Sequence, residues 1–296
     1  MSDRNVKAGV MGWPVEHSLS PRLHSYWLKQ YGLDGSYEKL AVKPDDLLNE
    51  LKTLKTKGFG GVNLTVPHKE AALGIVDYMD DLVKRVGAVN TIVVRPDGKL
   101  EGRNTDVYGF AENLRQGGYK SDQRAVAVLG AGGAARAIIV ALQDMGVGKI
   151  HMINRTFEKA QELAQEFSTM EQSHFLPADE PAEEAIKHIH HVTPYKWGDK
   201  DALQNVSLLV NATSLGLKGQ PPLEIDLGAL PKDATVTDIV YAPLETELLK
   251  KAKARGHKTI DGLGMLLYQA QPAFEAFFGK KPEVTKELRA HIEASL

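Results

Sequence analysis

The 296-residue sequence contains no cysteine. A disulfide framework, a thiolate zinc site and a cysteine nucleophile are thereby excluded, and the absence agrees with a reducing compartment. It has no apolar run near the roughly 18 residues that span a bilayer, and Met1 to Val10 holds no apolar core of signal-peptide length. Net charge is small: 36 Lys and Arg against 38 Asp and Glu leave −2. That balance makes no electrostatic case for nucleic acid or an anionic membrane. Internal repeats and low-complexity tracts are absent too. What is present is ordinary for a globular chain, 43% hydrophobic and 25% charged. The expectation is a cytoplasmic enzyme or binding protein with a small-molecule partner. At roughly 150 residues per domain, the length suggests two domains, each able to bury its own core.

Short apolar runs such as Val6 to Met11 and Val62 to Val66 alternate with segments of helical period such as Pro21 to Tyr31 and Pro44 to Thr56. Strands alternating with helices predict an α/β fold built on mostly parallel sheets. A polar break at Gln116 to Asp122 precedes the apolar strand Ala125 to Leu129, and the alternation restarts there, with strands expected at 125–129, 149–153, 206–210 and 235–240. The last apolar segment of helical spacing, Leu263 to Phe278, has no strand after it. It is expected to pack back on the first domain, which places the domains at 1–106, completed by 263–296, and at 107–262.

The strand Ala125 to Leu129 runs into Gly130-Ala131-Gly132-Gly133-Ala134-Ala135, followed by an apolar helix. Gly130 and Gly132, without Cβ atoms, let the turn approach a pyrophosphate whose charge faces the helix N-terminal N–H groups, and Ala135 is small enough for helix–strand packing. A glycine trio alone is a tight turn. Strand before, helix after and a second strand in register make it a dinucleotide fingerprint. That second strand, Lys149 to Ile153, ends in Asn154-Arg155-Thr156, with Lys159 one turn on, and carries no acid to accept from a ribose 2′-OH. Arg155, Lys159 and the Thr156 hydroxyl suit a 2′-phosphate, so NADP is the expected cofactor. Thr156 can cap the following helix in the same arrangement.

The first domain gathers polar residues at the ends of its elements. Ser18 and Ser20 flank a helix start, with Ser20 read as N-cap and Pro21 at N1; a carboxylate site and a plain cap are both open there. In Val62 to Lys69 the period-2 alternation sends Val62, Leu64 and Val66 to one face and Asn63 and Thr65 to the other, at the carboxyl end of a strand where α/β sheets bind ligands. Lys69 opens a helix, where the dipole disfavours a cation, which suits a group that gives and takes a proton. Asn90 and Asp106 close the pattern. Position alone favours Asp106 as an N-cap and leaves Asn90 readable as a turn residue.

Taken in order, these segments resemble the shikimate dehydrogenase family. The resemblance rests on His-Ser-Leu-Ser-Pro at 17–21, Asn-Leu-Thr-Val-Pro-His-Lys at 63–69, Gly-Ala-Val-Asn-Thr at 87–91 and Asn-Thr-Asp at 104–106. Gly-Ala-Gly-Gly-Ala at 130–134, Asn-Arg-Thr at 154–156 and Asp-Gly-Leu-Gly-Met-Leu at 261–266 complete it. It implies an N-terminal substrate domain, a C-terminal Rossmann-type domain, and interconversion of 3-dehydroshikimate and shikimate with NADP. Lys69 and Asp106 would be the catalytic pair. Ser18, Ser20 and Tyr241 would hold the substrate carboxylate, and Asn63, Thr65, Asn90 and Gln269 its ring hydroxyls. Gly130, Ala131, Gly132, Gly133, Ala134, Asn154, Arg155, Thr156, Lys159, Thr213, Ile239 and Gly262 would hold the cofactor.

A monomer or homodimer is expected. A relative with relaxed use of quinate and of NAD is the alternative, which an acid at 155 or 156 would have favoured. Glu183 to Trp197, with Lys187-His188-Ile189-His190-His191, matches no motif of the family. Lacking a carboxylate or an HExxH spacing, it is read as a solvated variable segment and no metal is assigned.

Overall fold

The computed structural model describes residues 6–169 and 190–296. The chain forms two compact units, Met1–Gly109 with Leu266–Leu296, and Phe110–Met265. The strands are β1 (Val6–Gly12), β2 (Gly35–Ala41), β3 (Phe59–Leu64), β4 (Tyr78–Met79), β5 (Thr91–Val94), β6 (Leu100–Arg103), β7 (Ala125–Leu129), β8 (Lys149–Asn154), β9 (His191–Lys196), β10 (Val206–Asn211), β11 (Thr235–Asp238) and β12 (Thr259–Ile260). Helices are α1 (Ser20–Tyr31), α2 (Leu47–Lys52), α3 (His68–Ala71), α4 (Asp81–Val86), α5 (Asp106–Gln116), α6 (Gly133–Asp144), α7 (Phe157–Thr169), α8 (Glu247–Ala254), α9 (Leu263–Phe278) and α10 (Lys286–Glu293).

The first unit is built on a sheet in the order β2-β1-β3-β5-β6-β4. β1 pairs in parallel with β2 and β3, and β4 with β6, whereas β5 runs antiparallel to β3 and β6. The reversal has a local cause. Gly98 takes φ 89° in the turn after β5, where the Arg95 N–H bonds the Lys99 carbonyl at 2.9 Å, so a tight hairpin replaces a helical crossover. Alternation in β1 divides the core: Met11 joins Leu47, Leu51, Leu64 and Ile92, while Ala8 and Val10 join Tyr37, Ala273 and Phe277. The last two belong to α9, so its C-terminal part packs on this sheet. Gly61 makes that packing possible, since a Cβ there would lie 2.4 Å from both the Ile92 carbonyl oxygen and the Phe277 ring.

The second unit carries an all-parallel sheet in the order β12-β11-β10-β7-β8-β9. Every residue of β7 is buried, as expected of a strand covered on both faces. The strand order reverses between β7 and β10, and the glycine turn after β7 sits at that switch point. Two strands escape the sequence pattern. β12 has only two residues, and β9 is an edge strand with Pro194 in it, a residue tolerated where one side of the ladder is unpaired. The reading of 183–197 as a solvated segment is therefore corrected over 191–196: Val192 is buried and Tyr195 packs on the core under β7 and β10. Lys187 to Ile189 lie outside the described residues.

Gly61→Ala is expected to destabilise the first unit by about 1–3 kcal/mol, because both atoms it meets belong to fixed structure. Urea denaturation checks this, and a midpoint equal to wild type would show that β3 and α9 separate freely.

Candidate functional site

Three segments of the first unit bring polar side chains to one place: α3, the residue before β5, and the link from β6 into α5. Lys69 Nζ lies 2.6 Å from Asp106 Oδ2, with the two side chains only 16% and 7% exposed. The other carboxylate oxygen, Oδ1, accepts from Asn90 Nδ2 at 2.9 Å. The N-cap reading of Asp106 is corrected. Asn104 Oδ1 accepts the N–H groups of Asp106 at 3.0 Å and Val107 at 3.3 Å, so a neighbour does the capping and the carboxylate is left for Lys69.

Asn90 is fixed on both sides. Its Oδ1 accepts from the Thr105 N–H at 2.7 Å, and its Nδ2 also donates to Thr105 Oγ1 at 2.9 Å. Thr105 Oγ1 in turn donates to Gln269 Oε1 at 3.2 Å, which brings Gln269 of α9 into the cluster. Asn63 joins through Thr91: its Nδ2 donates to Thr91 Oγ1 at 2.9 Å, and its Oδ1 accepts from the Tyr37 hydroxyl at 2.7 Å. Thr65 follows the end of β3, where its methyl packs on Gly12 and its N–H bonds Met11 O at 2.9 Å. β3 stops at Leu64, so the alternation expected through Val66 fails there; Val66 is 68% exposed.

At the start of α1 the cap assignment also changes. Leu19 is the N-cap, Ser20 is the first helical residue, and Ser18 Oγ accepts from the Ser20 N–H at 3.3 Å. Ser18 therefore has a local structural contact that its sequence position did not suggest. Burial pushes the Tyr37 phenol well above its ordinary pKa, and the Ser20 hydroxyl bonded to it pulls partly back. Tyr241, expected beside these residues, follows β11 in the other unit. Tyr37, Thr91, Thr105 and Asn104 were not singled out from sequence. Thr91, Thr105 and Asn104 stand inside the family motifs, whereas Tyr37 reads as one more core aromatic of a strand.

In the second unit Gly130 has φ 105°, and a Cβ on it would lie 2.8 Å from the Thr213 side chain. Gly132, the N-cap of α6, is extended, and a Cβ there would enter open space. No side chain caps this 12-residue helix, so its first N–H groups are left for an anion. Ala131, Gly133 and Ala134 are half-buried around the turn. Asn154 Nδ2 bonds the Thr156 carbonyl at 2.8 Å, holding the turn after β8, while Arg155, Thr156 and Lys159 are exposed. An open glycine, an uncapped helix and two exposed cations with no acid at the end of β8 fit a dinucleotide with an extra phosphate.

Beneath this turn Asn211 Oδ1 accepts from Thr213 N at 3.0 Å and Thr213 Oγ1 at 2.7 Å, while Asn211 Nδ2 donates to Asp238 Oδ1 at 2.8 Å. The Ile239 N–H bonds Asn211 O at 3.1 Å, and Gly262 is close enough that a Cβ would sit 2.5 Å from the Ile239 carbonyl. Asp238 is 1% exposed, and burial pushes its carboxyl up to about 6. Of the histidine-rich stretch, His190 Nδ1 lies 2.8 Å from Val147 O and His191 is exposed in β9. Among the described residues no group of three His, Cys, Asp or Glu is placed to hold a metal.

A parallel sheet of this order with its glycine turn at the switch point, in a chain whose other unit holds a buried Lys–Asp pair, defines a two-unit α/β protein with a Rossmann-type unit. Family models agree: residues 10–92 match the shikimate dehydrogenase substrate binding domain, 112–191 shikimate / quinate 5-dehydrogenase, and 262–287 the shikimate 5′-dehydrogenase C-terminal domain. The chain is 50% identical over 295 residues to the shikimate dehydrogenase (NADP(+)) of Paramagnetospirillum magneticum, covering 99% of each. Among solved structures it resembles the shikimate 5-dehydrogenase of Thermus thermophilus in complex with NADP(H) and shikimate. There TM-score is 0.82 and identity 35%, over 98% of this chain and 100% of that one. It also resembles a quinate dehydrogenase of Corynebacterium glutamicum in complex with NAD, with TM-score 0.84 and identity 31% over 99% of each. The chain belongs to the shikimate dehydrogenase family.

Asp238 makes the stability of its unit depend on pH. The folded carboxyl holds its proton up to about 6, against 3.8 unperturbed, so between those values the folded state binds more protons than the unfolded one. Its contribution is full below the lower value and is lost as pH rises through the upper. Asp238→Asn should remove that loss, gaining on the order of 3 kcal/mol relative to wild type between pH 4 and pH 7. Denaturation at the two pH values measures it; a difference independent of pH would mean Asp238 ionises normally.

Proposed function

We propose that the protein is an NADP-dependent shikimate dehydrogenase, catalysing reversible reduction of 3-dehydroshikimate to shikimate for aromatic amino acid biosynthesis. The observation that carries this is the 2.6 Å contact of Lys69 with Asp106, held from the far side by Asn90, in a chain of this family. Lys69 gives a proton to the carbonyl oxygen during reduction and takes it back in the reverse direction. Asp106 holds the ammonium in place and accepts from a neighbouring ring hydroxyl. Ser18, Ser20 and Tyr241 bind the substrate carboxylate. Asn63, Thr65, Asn90 and Gln269 bind the ring hydroxyls.

The cofactor residues are Gly130 to Ala134 at the pyrophosphate, Asn154, Arg155, Thr156 and Lys159 at the 2′-phosphate, and Thr213, Ile239 and Gly262 on the nicotinamide side. When bound, the nicotinamide supplies the hydride. Asn154 at the end of β8, where an NAD site carries an acid, supports NADP and speaks against the quinate- and NAD-using alternative. The partners are small molecules, in the cytoplasm, to a protein acting as monomer or homodimer. No helix among the described residues is long and apolar enough to cross a membrane.

Lys69→Ala should lower kcat by on the order of 10² to 10⁴ with modest change in KM. It also strands a buried carboxylate, which costs about 3 kcal/mol or more. The Lys69→Ala/Asp106→Asn double variant should therefore be more stable than Lys69→Ala and equally inactive. Near-normal kcat with shikimate and NADP in Lys69→Ala sinks the mechanism.

Arg155→Ala should weaken NADP by roughly tenfold while moving NAD by less than about twofold, since one charge-assisted contact is lost. Equal losses for both cofactors in a direct binding titration would show that Arg155 does not read the 2′-phosphate.

A further inference from the structure

We propose that Tyr37 is a positioning residue that donates the first hydrogen bond of a relay ending on Asp106. The relay runs from the Tyr37 hydroxyl to Asn63 Oδ1 at 2.7 Å, from Asn63 Nδ2 to Thr91 Oγ1 at 2.9 Å, and from Thr91 Oγ1 to Asn90 Oδ1 at 3.0 Å. It ends from Asn90 Nδ2 to Asp106 Oδ1 at 2.9 Å, opposite Lys69 on Oδ2. The inference rests on the roles proposed above for Lys69 and Asp106.

Three groups that cannot exchange donor for acceptor fix the two amides of the line. Asn63 Nδ2 also faces the main-chain oxygen of Asn90 at 3.3 Å, which only accepts, so the amide nitrogen must lie on that side and Oδ1 must face Tyr37. Tyr37 is then the donor. Asn90 Oδ1 faces the main-chain N–H of Thr105 at 2.7 Å, which only donates, so Nδ2 must face the carboxylate of Asp106. Thr91 Oγ1 accepts from Asn63 Nδ2, and the nearer acceptor for its own proton is Asn90 Oδ1 at 3.0 Å, with Thr105 Oγ1 at 3.3 Å. Tyr37, Asn63, Thr91, Asn90 and Asp106 are all nearly fully buried, with no exchange for solvent partners along the line.

Both ends of the relay are held. The Tyr37 ring stacks on the His24 ring at 3.9 Å and 11°, and burial lowers His24 to about 3, so a neutral ring fixes the phenol plane without adding charge. At the other end Asn90 spends its second amide hydrogen on Thr105 Oγ1, and thereby orients the hydroxyl that reaches Gln269. A turned Asn90 amide would put its oxygen against the Asp106 carboxylate and release Lys69 from its held position. It would also upset Gln269.

Tyr37→Phe keeps the ring stacked on His24 and removes the first donor, together with the oxygen that the Ser20 hydroxyl bonds. Thr91→Val cuts the relay in its middle at nearly constant shape. With wild-type activity on shikimate and NADP first established, Tyr37→Phe should lower kcat roughly three- to tenfold, with KM for NADP unchanged. Added to Thr91→Val, it should lower kcat no further, because the line is already broken. Additive losses in the double variant, a change confined to KM for shikimate, or an unchanged kcat in a less stable protein would each overturn the relay. If the wild type does not act on shikimate, the functional reading has failed and the relay is read without catalysis. In the free protein, Tyr37→Phe should then speed solvent exchange of the Asn90 side-chain amide protons on the order of tenfold, though the two residues do not touch. An unchanged exchange rate overturns it.

Discussion

A carboxylate taken out of water must be surrounded by donors, and in this protein Asp106 sets that requirement for most of the first unit. Removing such a charge from solvent costs several kcal/mol after relaxation, so its oxygens must find partners. Lys69 and Asn90 provide them. Each partner then needs its own support: Asn90 from the Thr105 N–H and Thr91, Thr91 from Asn63, and Asn63 from Tyr37. The β3–α3 link, the entry to β5 and the β6–α5 link are thus placed by one electrostatic need as much as by hydrophobic packing. Asn104, by capping the first turn of α5, frees the carboxylate for that use.

The antiparallel β5 follows from the same geometry. A parallel strand in its place would enter the sheet from the opposite end, and the residue before it would sit away from Lys69. The hairpin of β5 with β6 puts the start of β5 beside the end of β3 and the end of β6, with Asn63 opposite Thr91 and Thr91 opposite Arg103. Asn90 and Asn104, one residue outside those strands, are then neighbours across the ladder. A mixed sheet here serves a polar cluster at the ends of its central strands, whereas the second unit keeps its sheet parallel and puts its open glycine at the switch point.

Legibility in the sequence tracked how local the cause was. The glycine turn, β7 and α6 could be read because close approach, a fully buried strand and an apolar helix all leave marks on adjacent residues. β9 could not, because an edge strand with a proline and alternating polar residues looks like a loop until β8 is placed beside it. Val66 fell off the expected face because a strand end is set by the next residues in the chain, here Pro67 and α3. Position showed Lys69, Asn90 and Asp106 only as polar residues at element ends, and it was the family resemblance that paired Lys69 with Asp106. Asp106 read as a cap since position cannot tell whether the residue two before it has taken the work. Tyr37 was invisible because nothing in a strand's pattern distinguishes a phenol that packs from one that donates.

The two buried carboxylates meet the same burial with different partners. Asp106 and Asp238 are 5% and 1% exposed, the first opening α5 and the second closing β11. Asp238 is met by Asn211 and Thr246 side chains and by the Val240 N–H, neutral donors all, and burial raises its carboxyl to about 6. Such a group can anchor a turn but has no charge partner to exchange a proton with. Asp106 has a primary amine at 2.6 Å, with 16% of that side chain still reached by solvent. Its other oxygen takes the Asn90 amide, so both sides of this carboxylate are met, one by a charge and one by a neutral donor. The difference between the two sites is one lysine, placed by a four-residue helix that the strand before it could not have continued.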